Sequence, residues 1–89
     1  MNAQQTELLD KAILKVLDAN RTRYGLTAVA LSHLIPQFGF TGIDAETIKD
    51  RLQYLTDKKL VEETSKLLGA ANRVWRITDT GIQFIDEHP

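Results

Sequence analysis

The sequence contains no cysteine in its 89 residues, which excludes a disulfide framework, thiolate zinc sites and thiol catalysis. Stability must therefore come from packing. No apolar run is long enough to cross a bilayer, and the start, "MNAQQTELLD", lacks the basic and then apolar regions of a secretory signal. The expected compartment is the cytoplasm. An excess of one charge is missing too: 11 Lys and Arg stand against 12 Asp and Glu, a formal net charge of -1. Dedicated nucleic-acid modules are commonly basic, because Lys and Arg supply their phosphate contacts. Bulk charge thus weighs mildly against DNA, although the last segment, "DTGIQFIDEHP", carries Asp79, Asp86 and Glu87 with no Lys or Arg to offset them. Without that segment the remainder is slightly basic. Internal repeats, low-complexity tracts and Pro- or Ser-rich linkers are also lacking, so residues 1–89 read as consecutive elements of one domain with one core.

What is present is periodicity. Leu9, Ala12, Ile13, Val16 and Leu17 recur at the spacing of one helical face and predict a first helix over 6–20. Glu7 and Lys11 pair four apart on its exposed side. Leu26 reads as a short extended piece and Thr27 as the N-cap of a second helix, "AVALSHLI", with Leu31, Leu34 and Ile35 inward. Pro36 disfavours helical geometry before it and cannot donate a backbone bond, so that helix ends about there. In the connector "PQFGFTGI", Gly39 and Gly42 permit turns, and Phe38 and Phe40 are expected to pin the loop to the core.

A third helix over 44–59 opens on Asp44 as N-cap, with Ile43 and Ile48 at the positions of a hydrophobic staple and a buried stripe of Ile48, Leu52 and Leu55. Past Leu60 the period shortens. "LVEETSKLL" and "NRVWRIT" read as strands flanking "GAAN", with Trp75 and Ile77 on one face and Val74 and Arg76 on the other. A last short helix then covers the core with Ile82 and Ile85.

The stretch "TIKDRLQYLTDKKLVEE", followed by "VWRITDTGIQFI", resembles the third helix and wing of MarR-like and PadR-like bacterial transcription regulators. The shared features are a Leu-x-x-Leu helix running into a Leu-Val strand, and a returning strand that ends in Trp75, Arg76, Ile77 and Thr78 with Gly81 beyond. The resemblance runs from about Leu8 to Ile85. It implies a mainly α fold with a small antiparallel β hairpin: a winged helix-turn-helix of three core helices, wing and short C-terminal helix. It is a pattern that many functions share.

In DNA-binding members of that fold, the third helix enters the major groove and the wing touches phosphates or the minor groove. Carried over by position, the groove-facing residues are Thr47, Lys49, Asp50, Gln53 and Tyr54, and the wing residues of 62–77 are Lys66, Asn72, Arg73 and Arg76. Further phosphate contacts are expected from Arg21, Arg23 and the start of helix two near Thr27. This implies double-stranded DNA as partner and a bacterial or phage regulator as function. The sequence departs from the family pattern in three places. The link between helices two and three is longer than a tight turn, position 59 is Lys where Gly is common, and little chain follows the wing where many PadR-like proteins carry a long dimerisation helix.

The exposed face of the third helix complicates that picture. At about 100° per residue, the positions opposite Ile48, Leu52 and Leu55 are Glu46, Asp50, Gln53, Tyr54 and Asp57, with Lys49 and Arg51 on opposite flanks. One reading makes the carboxylates helix-start, pairing and solubility residues. A second has them accept hydrogen bonds from cytosine while flanking cations hold the backbone. A third makes this face, with Tyr54, the docking surface for a basic protein partner.

No catalytic constellation emerges, so neither an enzyme nor a cofactor is expected. Ser32 and His33 are helix neighbours that do not face each other, Glu62 and Glu63 point to opposite strand faces, and neither His33 nor His88 has metal-ligand companions. Gly39, Gly42 and Gly69 form no phosphate loop. Trp75, in phase with Ile77, reads as core. The helix 6–20 stripe from Leu8 to Leu17 is broad enough to leave an edge for a homodimer.

Overall fold

The computed structural model describes residues 2–21, 25–64 and 73–88. Its elements run α1 (Ala3–Ala19), α2 (Ala28–Leu34), a 3-10 segment (Ile35–Phe38), α3 (Ala45–Asp57), β1 (Val61–Glu63), β2 (Trp75–Ile77) and α4 (Asp79–Glu87). α1 begins at Ala3, ahead of the expected Thr6, because Asn2 and Gln5 form a reciprocal capping box: Gln5 N–H donates to Asn2 Oδ1 at 2.8 Å and Asn2 N–H to Gln5 Oε1 at 3.2 Å. That polar turn carries no apolar period to announce it. The N-caps of the next two helices are those read from sequence. Thr27 Oγ1 accepts from Ala30 N–H at 3.1 Å, and Asp44 Oδ1 accepts from Thr47 N–H at 2.8 Å.

Leu9, Ile13, Val16 and Leu17 of α1, Leu31 and Ile35, the α3 stripe of Ile48, Leu52 and Leu55, and Val61, Trp75, Ile77 and Ile85 make one buried cluster. Ile82 and Phe40 pack partly against it. β1 and β2 are antiparallel in the register Val61 to Ile77, Glu62 to Arg76 and Glu63 to Trp75. Leu26 adds a short third rung, its N–H donating to Trp75 O at 2.8 Å while Trp75 N–H donates to Leu26 O at 2.9 Å. Within the described residues the strands cover 61–63 and 75–77, and the remainder of the expected first strand from residue 65, with the expected "GAAN" tip, lies outside the described residues. Val74, expected beside Arg76 on the outer face, is instead buried, although its carbonyl still accepts from Thr64 N–H at 2.9 Å just ahead of β2.

The connector departs further from expectation. Beyond Leu34 the chain continues as a 3-10 segment that accommodates Pro36 in its first turn, then reverses at Gly39, whose φ of 92° suits glycine. Phe38 falls on one side of this reversal and is 40% exposed, so it does not anchor the core; Phe40, on the other side, does so in part.

At the end of α3, Lys59 adopts φ 64°. Its N–H donates to Thr56 O at 2.9 Å and Leu60 N–H to Leu55 O at 3.0 Å, the two bonds of a Schellman motif with lysine in the place glycine usually takes. Thr78 fixes this turn from outside, donating from Oγ1 to Lys59 O at 2.8 Å and from N–H to Leu60 O at 3.1 Å. The same hydroxyl caps α4 by accepting from Gly81 N–H at 3.0 Å. Gly81 itself leaves no room for a side chain, since a Cβ there would lie 2.2 Å from Leu60 O. Among the described residues no helix is long and apolar enough to cross a membrane.

Candidate functional site

The winding of α3 separates two faces. Ile48, Leu52 and Leu55 are buried, while Glu46, Asp50, Gln53, Tyr54 and Asp57 are exposed and Thr47 and Lys49 stand half-buried at the margins. The centre of the outer face is acidic, and its polar groups partner one another. Lys49 Nζ lies 3.6 Å from Glu46 Oε1, and Gln53 Nε2 donates to Asp57 Oδ1 at 3.3 Å. The Thr47 backbone N–H is committed to the Asp44 cap, and that bond holds the Asp44 carboxyl below the usual carboxylate range.

Arg51 does not serve as the flanking groove-wall cation that its helical angle suggested. Its Nε donates to Asp10 Oδ1 at 2.8 Å and its terminal nitrogen to Asp10 Oδ2 at 2.6 Å, a bidentate pair with most of both side chains shielded from solvent. The hydrogen bond to Asp10 raises the Arg51 pKa, against the opposing effect of burial. The guanidinium also sits 4.4 Å from the Tyr54 ring centroid, with Lys58 Nζ at 5.6 Å, so Tyr54 is held by cations although it is 43% exposed. Sequence reasoning missed this cluster. The signal was Asp10, a carboxylate beside the apolar stripe of α1, where burial demands a partner. Asp10, Arg51 and Tyr54 form part of the wall of a cleft of about 710 Å³ between α1, α3 and α4.

The wing residues that are described lie together at the hairpin base, and each arginine is matched by a carboxylate. Arg73 donates from Nε to Glu63 Oε1 at 2.9 Å and from its terminal nitrogen to Glu63 Oε2 at 3.0 Å, and packs 4.9 Å from the Trp75 ring centroid. The hydrogen bond to Glu63 raises the Arg73 pKa. Arg76 Nε is 3.3 Å from Glu62 Oε1, its cross-strand neighbour. Arg21, after α1, pairs with Asp18. Lys66, Asn72 and Arg23 lie outside the described residues. Elsewhere, the His88 ring packs on Phe84 at 4.6 Å between centroids, and His33 is exposed in the last turn of α2.

No protein-family model matches this sequence, and no curated protein does. Solved structures do. H. salinarum RosR, from crystals grown with NaBr, superposes with a TM-score of 0.74 at 18% identity over 99% of this chain and 70% of that one. A PadR-like transcriptional regulator from Bacillus cereus strain ATCC 14579 superposes with a TM-score of 0.74 at 24% identity over 97% of this chain and 82% of that one. At such identities the likeness is one of fold, and the fold is a winged helix-turn-helix.

Proposed function

We propose that the chain is a DNA-binding transcription regulator of bacterial or phage origin, acting in the cytoplasm as a single winged-helix domain that contacts duplex DNA through helix 44–59 and the wing 62–77. The observation that carries this reading is the division of α3 into a buried stripe and an outward face bearing Gln53 and Tyr54, on a frame similar to that of a PadR-like transcriptional regulator. Thr47, Lys49, Asp50, Gln53 and Tyr54 are the base-facing candidates, with Asp50 suited to accept from a cytosine amine. Lys66, Asn72, Arg73 and Arg76 are the backbone candidates.

The carboxylates opposite Arg73 and Arg76 shape how such a wing works. Each arginine carries five N–H donors and spends only some of them on its glutamate, so the remainder can reach a phosphate. The Arg76–Glu62 pair is exposed, and such pairs contribute roughly 0–1 kcal/mol, so exchanging Glu62 for a phosphate costs little. The bidentate Arg73–Glu63 pair is half-buried and holds its arginine more firmly. The paired charges still reduce net attraction, so binding should be weak and steeply sequence-dependent rather than strong and non-specific. A fluorescence titration against mixed duplex fragments at low and moderate salt, followed by sequence selection, tests it. Binding that weakens with salt and converges on a sequence supports the reading; no binding at low salt rejects it.

A second reading has its own observation. Glu46, Asp50 and Asp57 leave the outer face of α3 acidic around an exposed Tyr54, while the described wing arginines are neutralised within the hairpin. Those features suit a module that docks a basic protein partner. Tyr54→Ala discriminates, because it abolishes partner capture under this reading and leaves the backbone-driven part of DNA binding in place under the first.

A further inference from the structure

Opposite in character to α3 is a groove between α1 and the α2–α3 connector. Its floor is apolar, formed by Leu8, Ala12, Phe38 and Phe40, and its rim on α1 carries Lys11 and Lys15; no Asp or Glu lines it. The groove encloses about 360 Å³ and shares Gly39 and Phe40 with a neighbouring depression of about 320 Å³ that reaches Ile43. Leu8 at 49% and Phe38 at 40% exposure are two of the few large apolar side chains the surface displays. Gly39 sustains the display. A Cβ there would meet nothing within 4 Å, so glycine is needed at that position for its φ of 92°, the reversal that turns Phe38 outward.

The charges on the rim define the occupant. Lys15 has no ion pair among the described residues, and Lys11 has only a 3.7 Å contact with exposed Glu7. The two cations stand one helical turn apart, about 6 Å along the axis. We propose that this groove binds an acidic amphipathic peptide segment of a partner protein, apolar side chains seated on Leu8, Phe38 and Phe40 and carboxylates one helical turn apart meeting Lys11 and Lys15. A second copy fits less well, because an isologous pairing on this groove sets its cation-only rim against itself. Duplex DNA would match the lysines and leave the phenylalanine floor unused. The groove uses none of the exposed residues of α3 or the wing, so partner binding here is compatible with either reading of those elements.

The test is selection of peptides from a random display library on the intact protein, with the selected peptide then mapped by NMR on isotope-labelled protein. The expected result is enrichment of sequences pairing Asp or Glu with Leu, Phe or Trp, and amide shifts confined to residues 8–15 and 38–43. Lys11→Gln with Lys15→Gln, and separately the surface change Phe38→Ser, should each weaken binding about tenfold, the scale of an interface anchor, with thermal midpoints unchanged. Basic or no enrichment, shifts centred on α3, or binding indifferent to these substitutions would overturn the proposal. Concentration-dependent self-association lost in Phe38→Ser would also overturn it, by giving the groove to a second copy.

Discussion

Arg51 of α3 holds Asp10 of α1 through both carboxylate oxygens, at 2.8 and 2.6 Å, across 41 residues of sequence. The pair ties the helix with the candidate DNA face to the first helix and withdraws from the surface a cation that helical geometry alone would have offered to phosphate. Because it is largely shielded, removing one partner leaves the other charge in a poor environment. Asp10→Asn is expected to lower unfolding free energy by about 2 kcal/mol, the range of hydrogen bonds to charged groups, measured by urea denaturation. A loss near zero, as for an exposed pair, would mean solvent satisfies Arg51 equally well.

Asp44 gives α3 a pH dependence. Its carboxyl pKa is lowered in the folded chain, chiefly by the Thr47 backbone N–H. A depressed folded value means that the capping contribution is complete above the ordinary aspartate pKa and is lost as pH falls through the folded one. Asp44→Asn keeps an acceptor at the cap without the charge, so its stability should vary less with pH across that acidic window. Acid-unfolding curves of the two proteins, together with an NMR titration of the Asp44 carboxyl, check the direction.

The turn after α3 yields opposite expectations for two positions. Lys59 occupies a left-handed conformation at φ 64° that costs a side chain roughly 1 kcal/mol, so Lys59→Gly should stabilise the protein or leave it unchanged. Gly81→Ala should destabilise it by about 1–3 kcal/mol despite the higher helix propensity of alanine, because the new Cβ would meet the Leu60 carbonyl and Ile77. A lowered thermal midpoint for Gly81→Ala, with no lowering for Lys59→Gly, is the result expected if α4 is clamped to this turn.

Glu63 and Glu62 pair with Arg73 and Arg76, so under the DNA-binding proposal they compete with phosphate for these arginines. Glu62→Gln with Glu63→Gln should tighten DNA binding at low salt by roughly tenfold and steepen its salt dependence, since net positive charge on the wing rises. An anisotropy titration checks this, and unchanged affinity would place the hairpin base away from DNA.

These relationships differ in how far the sequence reveals them. The helix stripes, the Thr27 and Asp44 caps and the burial of Trp75 depend on neighbours within a turn or a strand, and local periodicity exposes such features. Asp10 and Arg51 meet only once α1 and α3 pack, and nothing in their separation announces it. The pairing of Arg76 with Glu62 follows from hairpin register, which alternation does not set when the intervening turn lacks a short signature such as Asn-Gly. The exposure of Phe38 is not legible, because a loop aromatic has no period to set its direction, which here depends on a 3-10 segment ending at Gly39. The acidic outer face of α3, by contrast, was fully legible, since exposure on an amphipathic helix follows from its stripe.

The most direct test of the central reading is an anisotropy titration of a selected duplex with wild-type protein and with Arg73→Ala and Arg76→Ala combined, over a range of salt. If the wing holds DNA, the double variant binds more weakly across all sequences and its affinity falls less steeply with salt, by up to about one unit of slope per lost phosphate contact. Equal affinity and equal slope for the two proteins would contradict it, and the wing would have no part in holding DNA.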